Sequence, residues 1–150
     1  KGFLMSKRAV SRLCVGAIVS AVVAAGVAEA ATPTKYGASL SGAKEVGGKG
    51  DPNAKGTFAA TVNGTQLCYT LIYSGVSKPL AAHIHKGTAT QNGSIVVDLK
   101  PTFSNGKAAA CVPIKTAVAS AIRKNPSKYY TNVHTQKYPN GIMRGQLSMK

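Results

Sequence analysis

The chain has 150 residues, with 19 Lys+Arg against 4 Asp+Glu, 3 His and 3 Cys, and a formal net charge of +15. So few carboxylates, none paired with another along the sequence, exclude the two-carboxylate hydrolases. The length allows one domain with a real core rather than two.

Residues 1–4 precede Met5, from which the chain reads as a secretory signal. Lys7, Arg8 and Arg12 form a positive start, Leu13 to Val27 an apolar stretch, and Ala28-Glu29-Ala30 a cleavage site. The apolar stretch falls short of the roughly 20 residues a spanning helix needs, so no transmembrane anchor is expected in the mature chain. Cys14 follows Ser11-Arg12-Leu13, which does not match a lipoprotein box. Cleavage after Ala30 leaves a single domain, residues 31–150, in a secreted or periplasmic location. Removing residues 1–30 takes away Lys1, Lys7, Arg8, Arg12 and Glu29, leaving 15 basic and 3 acidic residues and a net charge near +12. That charge favours anionic envelope or matrix polymers as partners. The lysines are spread singly, without the aromatic-interleaved basic stripe of a stacking platform, so dedicated nucleic-acid binding is not expected.

Strands are predicted at 36–41, 56–62 and 66–73, with a Gly-, Asp- and Pro-bearing loop over 47–55 and an Asn63-Gly64 turn, the strongest short hairpin signal, of type I′. Phe58, Ala60 and Val62 alternate with Thr57, Ala59 and Thr61. Leu67, Tyr69, Leu71 and Tyr73 alternate with Cys68, Thr70 and Ile72, and either face is apolar enough to point inward. Further strands follow at 81–85, 94–100 and 108–112, with a polar loop over 86–93 that closes on a second Asn-Gly, Asn92-Gly93. Pro113 to Lys124 breaks the pattern. Ile114, Val118 and Ile122 recur four apart, Arg123 and Lys124 suit a helix C-terminus, and Asn125-Pro126 stops it. The last strands are 129–135 and 142–149. Seven or eight short strands at such spacing predict an all-β antiparallel sandwich with one short capping helix.

Cys68 and Cys111 are the cysteines left after cleavage, and the exported compartment favours a disulfide between them. Two buried free thiols are the alternative. No Gly-x-Ser-x-Gly elbow and no phosphate-cradling glycine loop is present, so nucleophilic and phosphoryl-transfer chemistry have no agent.

The histidines carry what chemistry there is. His83 and His85 stand one residue apart in a predicted strand, so both project to one face about 6.6 Å apart along the backbone. His134 sits in another strand beside Val133, sharing its face with Asn132. If the strands are neighbours, the three imidazoles meet and form a nitrogen set suited to copper or zinc.

The pattern Ala82-His83-Ile84-His85-Lys86-Gly87, then Tyr130-Thr131-Asn132-Val133-His134-Thr135 and Pro139-Asn140-Gly141-Ile142-Met143-Arg144-Gly145-Gln146-Leu147 resembles the CHRD domain over about 36–147. That resemblance implies a secreted, immunoglobulin-like β-sandwich. The family's acidic residue before its Ile/Leu-Arg-Gly-Gln run is here Ile142, so any role of that carboxylate is absent or moved. The histidines are also similar to the copper side of the copper-zinc superoxide dismutases, which would make Arg144 an anion guide. The bridging histidine and zinc loop of that family have no counterpart. A structural role is equally open, with Asn132 and Thr135 hydrogen-bonded to the histidines and Arg144 paired with Asp98. The leading expectation is an exported binding module that holds copper or zinc. A copper-dependent dismutase-like redox enzyme and a glycan-binding envelope or matrix protein are the alternatives.

Overall fold

The computed structural model describes Gly2 and residues 32–150. The expected signal peptide, its cleavage after Ala30 and Cys14 lie outside the described residues. β1 (Thr34–Ser41), β2 (Lys55–Asn63) and β3 (Gln66–Ser74) form an antiparallel meander. Two more strands, β4 (Pro79–Lys86) and β5 (Ile95–Asp98), pair as a second unit, and β6 (Lys107–Pro113) returns to pair with β3. After α1 (Thr116–Lys124) come β7 (Tyr129–Thr135), β8 (Met143–Gln146) and β9 (Ser148–Met149). The order β5-β4-β7-β8-β1-β2-β3-β6 makes two four-stranded layers of one antiparallel sheet folded on itself, a β-sandwich joined along β8 and β1. The seam is narrow. Ser41 pairs with Arg144, and β9 pairs with Tyr36 and Gly37 of β1.

Alternation decides what lies between the layers. Phe58, Ala60 and Val62 of β2 and Leu67, Tyr69 and Leu71 of β3 are buried, which settles the inward face of that hairpin. From the other layer Ala82, Ile84, Val97, Val133 and Met143 meet them. Each large aliphatic or aromatic side chain so buried contributes about 1.5–3 kcal/mol. The Tyr69 hydroxyl donates to Leu99 O at 3.1 Å, so the buried ring leaves no unpaired polar tip.

Three expectations change in detail. Asn63 stays in the β2–β3 ladder opposite Gln66, so the hairpin loop is Gly64-Thr65, with the positive φ of 56° on Gly64 alone rather than on two type I′ residues. The helix starts at Thr116, not Pro113. Pro113 instead ends β6 opposite Gln66, and Ile114 N–H bonds Thr65 O. A proline lacking its N–H is tolerated there because β6 lies at the sheet edge. Finally, the strand expected over 142–149 is interrupted at buried Leu147, which bonds Tyr129 O and divides it into β8 and β9. This brings the strands to nine among the described residues.

Cys68 and Cys111 face each other directly across β3 and β6 and are joined in a disulfide. They alternate with the buried residues of β3, so the bridge lies on the outer face of its layer. Among the described residues, no helix is long and apolar enough to cross a membrane.

Candidate metal centre

Ala82 and Ile84 point into the core, so His83 and His85 project from the outer face of the β4 layer. Pairing with β7 sets Ala81 opposite His134, His83 opposite Asn132 and His85 opposite Tyr130. On the other side of β4, His83 faces Asp98. On the other side of β7, Asn132 faces Arg144 and Tyr130 faces Gln146. The register thus writes a polar array across four strands, with Asn132 at its centre.

Within that array His83, His85 and His134 each offer a ring nitrogen, and the three atoms lie within 4.8 Å of one another. Ring centroids are 4.9 Å apart for His83 and His134, 5.6 Å for His83 and His85, and 6.0 Å for His85 and His134. The cluster reaches the surface through His83, whose side chain is 17% exposed, and through half-buried His134.

Backbone carbonyls fix two of the rings. His85 Nδ1 donates to Gly93 O at 2.8 Å, and His134 Nδ1 donates to Pro139 O at 2.9 Å. A carbonyl only accepts, so both rings carry their proton on Nδ1 and present a lone pair on Nε2. His83 Nε2 lies 3.9 Å from Asp98 Oδ1. His83 Nδ1 and His85 Nε2 are buried without a hydrogen-bond partner among the described residues. Burial is the main cause that holds all three imidazoles below their ordinary pKa, reinforced at His83 by neighbouring His85. Neutral imidazoles with unpaired, inward lone pairs are what a transition metal requires, and a carbonyl on the far nitrogen is the usual partner that orients such ligands.

Arg144 is only 1% exposed. Its guanidinium donates to Thr88 O at 2.8 Å, Gln91 O and Asn92 Oδ1 at 3.2 Å each, and Gln146 Oε1 at 3.1 Å. Its carbon stands 3.3 Å above the Tyr130 ring, which stacks at 7° on His85 with centroids 4.9 Å apart. Arg144 therefore binds the 87–93 loop over the sheet and backs the ring behind His85, and it does not pair with Asp98. Thr135 likewise serves the chain rather than a histidine, its hydroxyl accepting from Tyr138 N at 3.1 Å. Asn132 does meet His134, its Oδ1 lying 3.0 Å from Nε2. Asp98 is exposed and caps the turn at Lys100 N.

Sequence reasoning missed Gly93, Pro139 and Glu45. A β-carbon at Gly93 would run into the Lys86 carbonyl, which is why the loop can bring its own carbonyl to His85. Glu45 is buried against Gly141, with Oε1 unpartnered among the described residues. Burial raises its carboxyl from 4.5 to about 7, against the pull of Arg144. A carboxylate thus enters this corner from a different strand connection, next to the site where the chain carries Ile142. A cavity of about 960 Å³ runs along the seam beside Glu45 and Arg144, but no histidine lines it.

Residues 36–147 match the family model of the CHRD domain. No curated protein and no solved structure matches the chain.

Proposed function

The chain belongs to the CHRD-domain family, and from that premise we propose that it is an exported binding module that holds a transition metal, copper or zinc, through His83, His85 and His134. One observation carries the reading: three neutral imidazoles converge, and two of their buried nitrogens have no hydrogen-bond partner among the described residues. Leaving buried polar atoms unpaired costs about 1–3 kcal/mol each, a cost that a bound cation removes. The disulfide between Cys68 and Cys111 supports an oxidising, extracytoplasmic location.

Binding is favoured over dismutase-like redox catalysis by Arg144. An anion guide needs free N–H groups at the mouth of the site, whereas this guanidinium is buried and engaged by four acceptors. Polyanion attachment rests on a separate observation, the exposure of all thirteen lysines among the described residues. It would coexist with metal binding.

The test is elemental analysis of native, never-chelated protein, with His83→Ala and His134→Ala alongside. About one copper or zinc per chain is expected in the native protein. Each substitution should lower the affinity by about 100-fold or more, because a lost ligand costs at least as much as a lost partner behind one. Native protein without either metal, and unable to take it up, would overturn the reading.

A further inference from the structure

The Asn132 carboxamide lies where the three histidines converge, and it is 1% exposed. Its contact with His134 joins two acceptors: Nδ1 of that ring donates to the fixed Pro139 carbonyl, so Nε2 carries a lone pair, and Oδ1 stands 3.0 Å from it. Moving the proton to Nε2 would merely set Nδ1 against Pro139 O, 2.9 Å away. A backbone carbonyl cannot turn around, but a carboxamide can, because its terminal torsion is broad and nearly two-fold. Without a metal, then, the stable arrangement has the Asn132 NH2 group turned to donate to His134 Nε2.

A metal reverses that preference. Two donor atoms each about 2.0–2.1 Å from a tetrahedral ion stand about 3.3 Å apart. The 3.0 Å separation of Asn132 Oδ1 and His134 Nε2 is already close to this. We propose that Asn132 is the fourth ligand of the site, a carboxamide that presents its NH2 group to the empty histidine cluster and its oxygen to the bound ion. The site then offers three nitrogens and one oxygen, the four-coordinate set that suits zinc(II) or copper(II), rather than the two or three soft ligands with which copper(I) is satisfied. The register explains why this residue and no other is in reach: Asn132 lies opposite His83 and two positions before His134 on one face.

The inference rests on the three-histidine reading, and one experiment separates the two. Zinc(II) affinity is measured by competition with a chelating dye and copper(I) affinity by competition with bicinchoninate, for the native protein, Asn132→Leu and Asn132→Asp. Asn132→Leu should weaken zinc(II) by about tenfold or more while leaving copper(I) within about threefold. Asn132→Asp, which keeps the oxygen and adds charge, should bind zinc(II) at least as tightly as the native protein. Unchanged zinc(II) affinity in Asn132→Leu, with the native protein binding normally, overturns the fourth-ligand assignment alone. A native protein that binds neither metal overturns the histidine site and this assignment with it. Should Asn132→Leu fail to fold, the side-chain NH2 resonances of Asn132 in the native protein decide. A shift and loss of exchange protection on adding zinc(II) supports the turn, and unchanged resonances overturn it.

Discussion

His85 and Gly93 are joined by a 2.8 Å hydrogen bond from ring to carbonyl, and the acceptor sits where a β-carbon would run into the Lys86 carbonyl. The loop between β4 and β5 therefore closes back on the strand it left and fixes which nitrogen of His85 faces the other rings. Replacing Gly93 by alanine should push the loop off the Lys86 carbonyl and release His85 Nδ1. The expected result is a metal affinity about 10–100-fold weaker, the usual cost of losing a ligand's orienting partner. Calorimetric titration of the folded variant with zinc(II) checks it.

Arg144 holds the same loop from the β8 side. Arg144→Lys keeps the charge but loses the planar fork that serves Thr88, Gln91, Asn92 and Gln146 together, as well as the stack on Tyr130. We expect a loss of about 2 kcal/mol in urea unfolding, because part-buried acceptors are left without their donor.

Acid should destabilise the metal-free protein through the histidines. Folding lowers their pKa below 6.5, so the unfolded chain binds protons that the folded one refuses. Their contribution is fully present only above the unfolded value and is lost as pH falls below about 6.5 toward the folded values. Urea unfolding of chelated protein between pH 4.5 and 8 should show this slope, and His85→Ala should flatten it. Metal occupancy should fall over the same acid range, since protons compete for the ligand nitrogens.

Glu45 acts with the opposite sign. Its carboxyl is raised from 4.5 to about 7, so the folded state keeps a proton that the unfolded chain releases. Stability is lost as pH rises between those values. Glu45→Gln should therefore gain about 2 kcal/mol over the native protein at pH 8 and little at pH 4, measured by the same unfolding experiment.

The disulfide should matter for stability and not for the metal. Cys68 and Cys111 are 43 residues apart, and the chain-entropy model gives about 4 kcal/mol for closing such a loop. Replacing both by serine should lower the denaturant midpoint accordingly while leaving zinc(II) affinity unchanged.

Much of the fold was legible because alternation in β-strands is a local signal. Phe58, Ala60 and Val62 announce a half-buried strand wherever they occur, and the spacing of His83 and His85 places both rings on one face before any partner is known. What was not legible depends on the path of the loops. Nothing near Gly93 or Pro139 in sequence says that its carbonyl will meet an imidazole 8 or 5 positions away. Arg144 gave a clear signal of type but not of role: a buried guanidinium and a substrate guide look alike until the acceptors around it are placed. The start of α1 was misplaced for a related reason. Pro113 fits the first turn of a helix and the end of an edge strand equally well, and only its pairing with Gln66 distinguishes them.

The covalent bridge and the imidazole cluster occupy opposite outer faces of the sandwich, one on β3 and β6, the other on β4 and β7. Neither fastener needs the other in order to close. If the cluster holds an ion as proposed, acid that displaces the ion would leave the covalent link in place, because protons do not touch a disulfide.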